Sequence, residues 1–227
     1  MEAHSSSQVP STRIGLIADI HGDWASFGRA MQIFEREGVT AIVCAGDVVD
    51  RGADADRVVQ AIQAAGIHCV KGNHEYSVAR SQARWRSSDR VGRLAQVGRI
   101  ISDATLAFIV ALPTMLHLAI AETRILVAHG SPWSDVTHVF ADSRQGLFDR
   151  IGADYGATTD VVILGHTHRP MQVRVGNLWI VNPGSVYGIT RRDSHTCATL
   201  TLPDCQLQVF NLASGKPSPY QPRDDKR

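Results

Sequence analysis

Residues 13–52 read RIGLIADIHGDWASFGRAMQIFEREGVTAIVCAGDVVDRG, in which short apolar runs alternate with a helical pattern. The two short apolar runs, residues 13–18 and 40–45, predict buried strands. Between them, apolar residues recur at spacings of three and four, which is typical of one buried face of a helix: Trp24, Phe27, Met31 and Phe34. The stretch therefore predicts a strand–helix–strand unit.

The same alternation continues on the C-terminal side of this unit. Asp54 can cap a second helix, and residues 67–71 predict a third buried strand. The apolar face of that second helix is formed by Val58, Ile62 and Ala65. A β-α-β-α-β order implies a parallel, right-handed core sheet with the helices outside it.

Beyond Asn73 the pattern becomes helical, with Asp89 and Asp103 as predicted helix caps, and it returns to strands at Met115. The later strands are predicted to pair as hairpins, because short turn sequences separate them: residues 122–123, 176–177 and 203–204. We therefore predict an α/β fold in which two sheets pack together and helices cover both outer faces.

The domain organisation is predicted to be simple. A length of 227 residues corresponds to between one and two average domains of roughly 150 residues. We expect a flexible N-terminus at residues 1–12, a single folded domain at residues 13–213, and a disordered, proline-containing tail at residues 214–227. Within the domain, residues 77–112 are predicted to form a helical insert.

The composition excludes several classes of protein. The chain is 44% hydrophobic and 20% charged, with a formal net charge of +1. We expect no stable nucleic-acid complex, because nucleic-acid-binding domains are usually strongly basic. The sequence shows neither a membrane-spanning apolar stretch nor a secretory signal, and its four cysteines form no Cys-x-x-Cys pair, which favours a reduced, cytoplasmic protein. Apolar faces for a core and for an interface look alike, so a homo-oligomer stays open.

Five short clusters contain most of the reactive side chains, and each falls where a strand is predicted to end. They are DIHG (19–22), GDVVDRG (46–52), GNHE (72–75), HGS (129–131) and GHTH (165–168). Because ligand sites in open α/β sheets form at the carboxyl ends of strands, we expect these clusters to meet.

The residue types in these clusters predict a metal centre. In an extended chain, residues i and i+2 point the same way, so Asp19 with His21, and His166 with His168, can each present two ligands together. Carboxylate, imidazole and carboxamide groups without a thiolate favour Mn or Fe, with Zn or Ni as alternatives. There are more ligands than one ion needs, whereas two divalent ions about 3.5–4 Å apart and sharing one carboxylate use them all. A hydroxide that bridges the two ions could then attack the phosphorus atom of a phosphate ester, in line with the bond that breaks.

Three further residues have predicted catalytic roles. His74 can stabilise the transition state or protonate the leaving oxygen as a general acid. Asp50 can orient that imidazole, although it could instead only cap its own turn. Arg51 can contact the non-bridging phosphate oxygens, or it can form an ordinary surface salt bridge.

Taken in order, the five clusters resemble the motifs of the calcineurin-like metallophosphoesterases, and the resemblance spans about residues 13–211. The motifs HGSP (129–132) and VNPGSV (181–186) look like the small bacterial and archaeal phosphodiesterase-like branch. The resemblance implies a four-layer αββα sandwich and two metal sites that share Asp47. One site would use Asp19, His21, Asp47 and His168, and the other would use Asp47, Asn73, His129 and His166.

The resemblance implies that two metal ions are needed to hydrolyse a phosphoester bond. The substrate would be a small phosphoester or a nucleotide, so the enzyme would be a phosphodiesterase or a nucleotide phosphatase. The motifs DRG (50–52) and NHE (73–75) are also similar to protein phosphatases and dinucleoside tetraphosphatases, so those substrates stay open. A non-catalytic scaffold on the same fold is the alternative from another class, and it would be expected to lack ligands or His74.

Two other features have competing interpretations. Residues 77–101 contain six arginines and one aspartate, and three of these arginines, Arg86, Arg90 and Arg93, are predicted to share a helix face. That face is either simply solvated or steers polyanionic substrates into the site. Trp133 and Tyr187 follow site loops and either pack at a sheet edge or stack on a nucleobase.

Overall fold

The computed structural model describes residues 11–218, so the predictions for residues 1–10 and 219–227 lie outside the described part of the chain. The first sheet has the strand order β10-β9-β1-β2-β3 and is mixed, because β1, β2 and β3 are parallel while β9 runs antiparallel to β1 and β10. Its strands are β1 (Thr12–Ile17), β2 (Ala41–Cys44), β3 (His68–Cys69), β9 (Thr196–Leu202) and β10 (Gln206–Asn211).

The second sheet has the order β4-β5-β6-β8-β7, with a parallel centre and an antiparallel hairpin at each edge. Its strands are β4 (Met115–Ile120), β5 (Thr123–Ala128), β6 (Val161–Ile163), β7 (Pro170–Val175) and β8 (Leu178–Pro183). The three predicted hairpins are thus confirmed, as is the β-α-β-α-β order of the N-terminal third.

The described part of the chain contains six helices. They are α1 (Trp24–Arg36), α2 (Ala55–Ala64), α3 (Asn73–Arg86), α4 (Val91–Gln96), α5 (Asp103–Ala111) and α6 (Gln145–Tyr155). All except α4, which buries no residue, pack over the outer faces of the sheets. Helix α6 is not among the predicted elements, and it covers the second sheet by packing Phe148 and Ile151 against its outer face. Helices α1, α2, α3 and α5 share a core with the first sheet.

The space between the sheets is filled by the alternate apolar residues of their central strands. Leu16 and Val43 of the first sheet and Val127 and Ile163 of the second are fully buried in this layer. Burial of both faces of a sheet explains why these strands read as continuous apolar runs. The arrangement of helix, sheet, sheet and helix confirms the predicted four-layer α/β fold.

Several local predictions differ from the structure. Helices α4 and α5 begin after Arg90 and Ser102, not at caps formed by Asp89 and Asp103; the Ser102 hydroxyl accepts the Thr105 N–H at 3.1 Å. The helical insert also begins earlier than predicted, because α3 starts at Asn73.

The C-terminal boundary is different as well. Residues 214–218, predicted as part of a disordered tail, extend the edge of the first sheet beside β10. There the Ser218 N–H donates to the Val209 carbonyl at 2.8 Å, and Pro217 forms a bridge with Phe210. These backbone bonds hold the segment in place although its proline content is typical of a tail.

No helix within residues 11–218 is long and apolar enough to cross a membrane. The four cysteines are buried free thiols, as expected for packing residues.

Candidate metal centre

The ten predicted site residues converge at one end of the two sheets. In the first sheet, the loop after β1 contains Asp19 and His21, and the loop after β2 contains Asp47, Asp50 and Arg51. The first turn of α3 contains Asn73 and His74. The second sheet places His129 after β5, and it places His166 and His168 between β6 and β7. The site is therefore built from loops of both sheets, at the carboxyl ends of their parallel strands.

The backbone is strained in most of these loops. Eleven non-glycine residues among the described ones have a positive φ, and seven of them are predicted site residues: Asp19, His21, Asp47, Asp50, Arg51, His166 and His168. A positive φ is unfavourable for residues with a Cβ atom and persists only where the surrounding structure enforces it. Its concentration here indicates that the loops are shaped to aim side chains rather than for local stability.

One group of potential ligands consists of Asp19, His21 and His168. The His168 Nε2 atom lies 3.3 Å from Asp19 Oδ1 and 3.3 Å from His21 Nε2. His21 Nε2 lies 3.9 Å from Asp47 Oδ2, which connects this group to the next one. One cation could contact all of these atoms.

A second group consists of Asp47, His129 and His166. Asp47 Oδ2 lies 3.2 Å from His129 Nε2, and the same nitrogen lies 3.0 Å from Asn73 Oδ1. The rings of His129 and His166 are 5.0 Å apart. Asp47 thus lies between the two groups, where a shared carboxylate is predicted.

The outer nitrogens of three histidines are fixed by hydrogen-bond acceptors. His129 Nδ1 lies 2.7 Å from the Ala45 carbonyl, and His21 Nδ1 lies 3.3 Å from the Val49 carbonyl. His168 Nδ1 lies 2.6 Å from Asp193 Oδ1. These contacts orient each Nε2 atom inward, as in metal-binding histidines. Sequence analysis missed Asp193, which follows no motif and reaches the site only through the tertiary fold.

Two buried polar atoms have no hydrogen-bond partner within the described residues, and both lie in these groups. They are Asp19 Oδ1 and His166 Nε2. Leaving a buried acceptor unsatisfied is costly, so native structures rarely tolerate it without another partner. The donor set, which is nitrogen and oxygen without sulfur, and these two orphaned atoms together fit divalent cations.

The protonation of the buried imidazoles also fits this role. Burial lowers the pKa of His21 to about 4 and that of His166 to about 4, so both rings are neutral. Burial disfavours a charged His129 as well, but the Asp47 carboxylate outweighs it and raises the pKa of His129 to about 10. The Asp47–His129 pair therefore retains a proton, which a divalent cation at the same place would displace.

Glu75 fixes the loop that contains Asp47, a role that the GNHE motif did not reveal. Its Oε2 accepts the N–H groups of Asp47 at 2.9 Å and Gly72 at 2.7 Å, while its Oε1 accepts those of Val48 at 2.8 Å and Val49 at 3.1 Å. The side chain is fully buried, and burial raises its pKa. Four donors on one carboxylate hold the loop after β2 against the start of α3.

His74 forms a chain of contacts with Asp50 and Arg99. His74 Nδ1 lies 2.8 Å from Asp50 Oδ2, as expected for an oriented imidazole. The other oxygen, Oδ1, accepts the Arg99 Nε–H at 2.9 Å and the Arg51 N–H at 2.8 Å. His74 also lies close enough to His21 and Asp47 to form a third potential ligand group. Arg99 was singled out only as one charge of the insert, and nothing in its local sequence indicated this contact.

An open cleft of about 720 Å³ borders His166 and His168, two of the potential ligands. Arg51 and Tyr187 line it, with the Arg51 guanidinium 5.9 Å from the Tyr187 ring centre. Trp133 instead packs over α6, where its Nε1–H donates to Asp154 at 3.1 Å. Of the two aromatic residues considered for base stacking, Tyr187 is therefore the one that lines the cleft.

The prediction that Arg86, Arg90 and Arg93 share one helix face is wrong. Helix α3 ends at Arg86 and α4 begins after Arg90, because residues 87–90 interrupt the helix. Arg86 also bonds within the insert, to Asp103 Oδ1 and to the Ile101 carbonyl, each at 2.6 Å. The three arginines do not line the cleft.

Comparisons with known proteins agree with this geometry. Residues 12–204 match the family described as the Calcineurin-like phosphoesterase superfamily domain. An uncharacterised protein from Methanocaldococcus jannaschii is 26% identical across 76% of this chain and 75% of its own length. Serine/threonine-protein phosphatase 1 from Salmonella typhimurium is 23% identical across 77% of this chain and 88% of its own length.

Among solved structures, a metallophosphoesterase from Sphaerobacter thermophilus has the same fold, with a TM-score of 0.67 and 22% identity over 88% of this chain and 86% of that chain. The family match covers most of the sequence and includes all five clusters. The chain therefore belongs to the calcineurin-like phosphoesterase superfamily and is a hydrolase of phosphoesters.

Proposed function

We propose that this protein hydrolyses phosphoesters with two divalent ions, Mn or Fe being favoured by the nitrogen and oxygen donors. Asp19, His21, Asp47 and His168 would hold one ion. Asp47, Asn73, His129 and His166 would hold the other. The observation that carries the proposal is the position of Asp47, whose Oδ2 is close to both His21 and His129.

When bound, the ions would supply an acidified water as nucleophile and neutralise charge on the phosphoryl oxygens. His74 is placed to protonate the leaving oxygen. Burial opposes its charged form, but the hydrogen bond to Asp50 and the charges of Asp47 and Asp50 together outweigh this effect and raise the pKa of His74. Asp50 thus orients the ring through Nδ1, and the Nε2 atom faces Asp47 at 3.9 Å.

Arg51 is proposed to bind the non-bridging oxygens of the substrate. It lines the cleft beside His168, and it forms no ion pair with a carboxylate of residues 11–218. A guanidinium can contact two phosphate oxygens at once, which positions the phosphorus atom as well as neutralising charge. The alternative of an ordinary surface salt bridge has no support among the described residues.

The substrate class is proposed to be a phosphodiester or a nucleotide. A serine/threonine phosphatase among the relatives keeps phosphoproteins as the second candidate. The first measurement is the hydrolysis of p-nitrophenyl phosphate and bis-p-nitrophenyl phosphate by metal-stripped protein after addition of Mn²⁺. The preferred ester separates a monoesterase from a diesterase, and a phosphoserine peptide tests the second candidate.

The His74→Ala variant makes this experiment specific. We expect turnover that depends on Mn²⁺ and, with phenyl phosphate as substrate, falls by about 10²–10⁴-fold in the variant, which is the usual contribution of a general acid. The p-nitrophenyl esters should show a smaller loss of turnover, because their good leaving group needs little protonation. His117→Ala is the matched control, because His117 lies exposed on β4 away from the site. Turnover that persists without metal, or an equal loss in both variants, would contradict the proposal.

A further inference from the structure

Three arginines line the cleft beside the proposed metal centre: Arg51, Arg169 and Arg192. They come from different parts of the chain, after β2, after the GHTH cluster and in the loop between β8 and β9. Only Arg51 belongs to the motifs on which the proposed function rests. The other two therefore need an explanation of their own.

Carboxylates that line this cleft compensate only part of its positive charge, because three arginines face one aspartate. Among residues 11–218, neither Arg169 nor Arg192 forms an ion pair, whereas Arg99 is paired with Asp50. Asp193 is the one acidic residue that lines the cleft, and both its oxygens are already used. Oδ1 contacts His168 Nδ1 at 2.6 Å, and Oδ2 accepts the Thr190 N–H at 2.8 Å. In a chain with a net charge of only +1, such a local excess attracts an anion.

Flat rings lie beside these charges. His138 stacks on Phe140 with centroids 5.6 Å apart and planes inclined by 12°, and the Arg169 guanidinium lies 5.7 Å from the Phe140 ring centre. A guanidinium held over a ring keeps its N–H edge free for phosphate oxygens. The rings offer a stacking surface of the kind that binds nucleobases.

The size of the cleft exceeds what one phosphate group needs. Its volume of about 720 Å³ lies within the roughly 300–1,000 Å³ range of pockets that enclose whole small molecules. Arg51 is adjacent to the proposed reaction centre, so it suffices for the reacting phosphate. The remaining two arginines can contact a group further along the substrate.

We infer that Arg169 and Arg192 form a subsite for a second phosphate group, so that the preferred substrate is a nucleotide with two or more phosphates. The inference rests on the proposed function, because the metal centre defines which phosphate reacts. Phe140 and His138 would face the nucleobase. A phosphoprotein with a single phosphate would gain nothing from this subsite.

Binding can be tested without turnover. Calorimetry on Mn²⁺-loaded protein compares two hydrolysis-resistant ligands, adenosine 5′-monophosphorothioate, which carries one phosphoryl-type group, and α,β-methylene adenosine diphosphate, which carries two. We expect the diphosphate to bind at least about tenfold tighter, as charge-assisted hydrogen bonds to phosphate are among the strong ones. In the Arg169→Gln/Arg192→Gln double variant, the ratio of the two dissociation constants is expected to fall towards one, while the affinity for the monophosphate changes little.

The matched control is Arg191→Gln, because Arg191 is exposed beside Arg192 but does not line the cleft. It should leave the ratio unchanged. A wild-type ratio near one, or a ratio that survives in the double variant, would overturn the inference. If the protein hydrolyses no ester yet shows the arginine-dependent ratio, the proposed function fails and the subsite stands. If the protein hydrolyses esters but does not bind the diphosphate more tightly, the proposed function stands and the subsite fails.

Discussion

At the scale of single residues, the carboxylate of Asp50 decides how His74 is presented. Its Oδ2 contacts His74, while Arg99 and the Arg51 N–H both donate to Oδ1. Burial alone would raise the pKa of Asp50, but these hydrogen bonds outweigh it and lower the value to about 2. Arg99 contacts none of the proposed reacting groups, so we regard it as a positioning residue that acts through Asp50.

Replacing Arg99 is expected to impair proton donation more than binding. In Arg99→Gln, we expect kcat for phenyl esters to fall roughly tenfold, in line with other residues that orient a site. The decrease in kcat should be far smaller for p-nitrophenyl esters, because a good leaving group needs little protonation. The measurement is kcat for both esters, together with the melting temperature.

Arg93→Gln serves as the control for this variant, since Arg93 lies exposed on α4 of the same insert. This variant should leave kcat unchanged for both esters. An equal loss for phenyl and p-nitrophenyl esters in Arg99→Gln would mean that Arg99 contributes only to folding.

At the level of elements, a close backbone contact holds the helical insert against the site, in addition to the Arg99–Asp50 pair. Gly98, between α4 and α5, has φ = +63°, and a Cβ atom there would lie 2.0 Å from the Gly52 carbonyl oxygen. Gly52 ends the turn that contains Asp50 and Arg51. The insert thus packs directly on this turn, and Gly98 places Arg99 within reach of Asp50.

Gly98→Ala is therefore expected to destabilise the fold by more than about 1 kcal/mol, because alanine fits neither the positive φ nor the contact. It should also reproduce the leaving-group effect of Arg99→Gln. Gly92→Ala is the matched control in α4, where a Cβ atom meets nothing within 4 Å. That helix substitution should stabilise by up to about 1 kcal/mol. Urea unfolding measures the free energy of unfolding of both variants. Equal values would contradict the close contact between Gly98 and Gly52.

At the scale of the whole molecule, the proposed metal centre joins the two sheets. Asp19, His21 and Asp47 follow strands of the first sheet, whereas His129 and His166 belong to the second. Bound ions would therefore add bonds between loops that already meet through packing and through hydrogen bonds such as the one from the His166 N–H to Asp19 Oδ2 at 3.0 Å. A ligand that binds only the folded state stabilises it by mass action.

Removing metal is thus expected to lower the melting temperature. At a free concentration of about 100 times its Kd, one ion contributes ~2.7 kcal/mol. For a domain of this size, that corresponds to a decrease of about 5–10 °C. Scanning calorimetry with and without a chelator measures it, and added Mn²⁺ should restore the original value. Asp47→Asn should remove most of the difference. A melting temperature insensitive to both chelator and metal would argue against bound ions.

The sequence alone predicted the layered fold and brought the candidate residues to one edge. This was achievable because both signals are local. Apolar runs and helical spacing indicate strands and helices, and ligand pairs such as Asp19 with His21 lie two residues apart at a strand end. The family motifs added the sharing of Asp47 as an expectation, and the structure places its carboxylate between the two groups of ligands.

Only the tertiary structure revealed the residues that support and extend the site. Arg99 lies 49 positions from Asp50, and Asp193 lies 25 positions from His168, so no local pattern connects either pair. The predicted cap of α5 is wrong because serine and aspartate compete for the same role, whereas α4 begins after Arg90 with no side-chain cap at all. The arginines of the insert looked alike as a run of charge, yet folding pairs Arg99 with the site and Arg86 with Asp103. Their partners are decided by which loops the packed sheets and helices bring together, and a linear sequence does not carry that information locally.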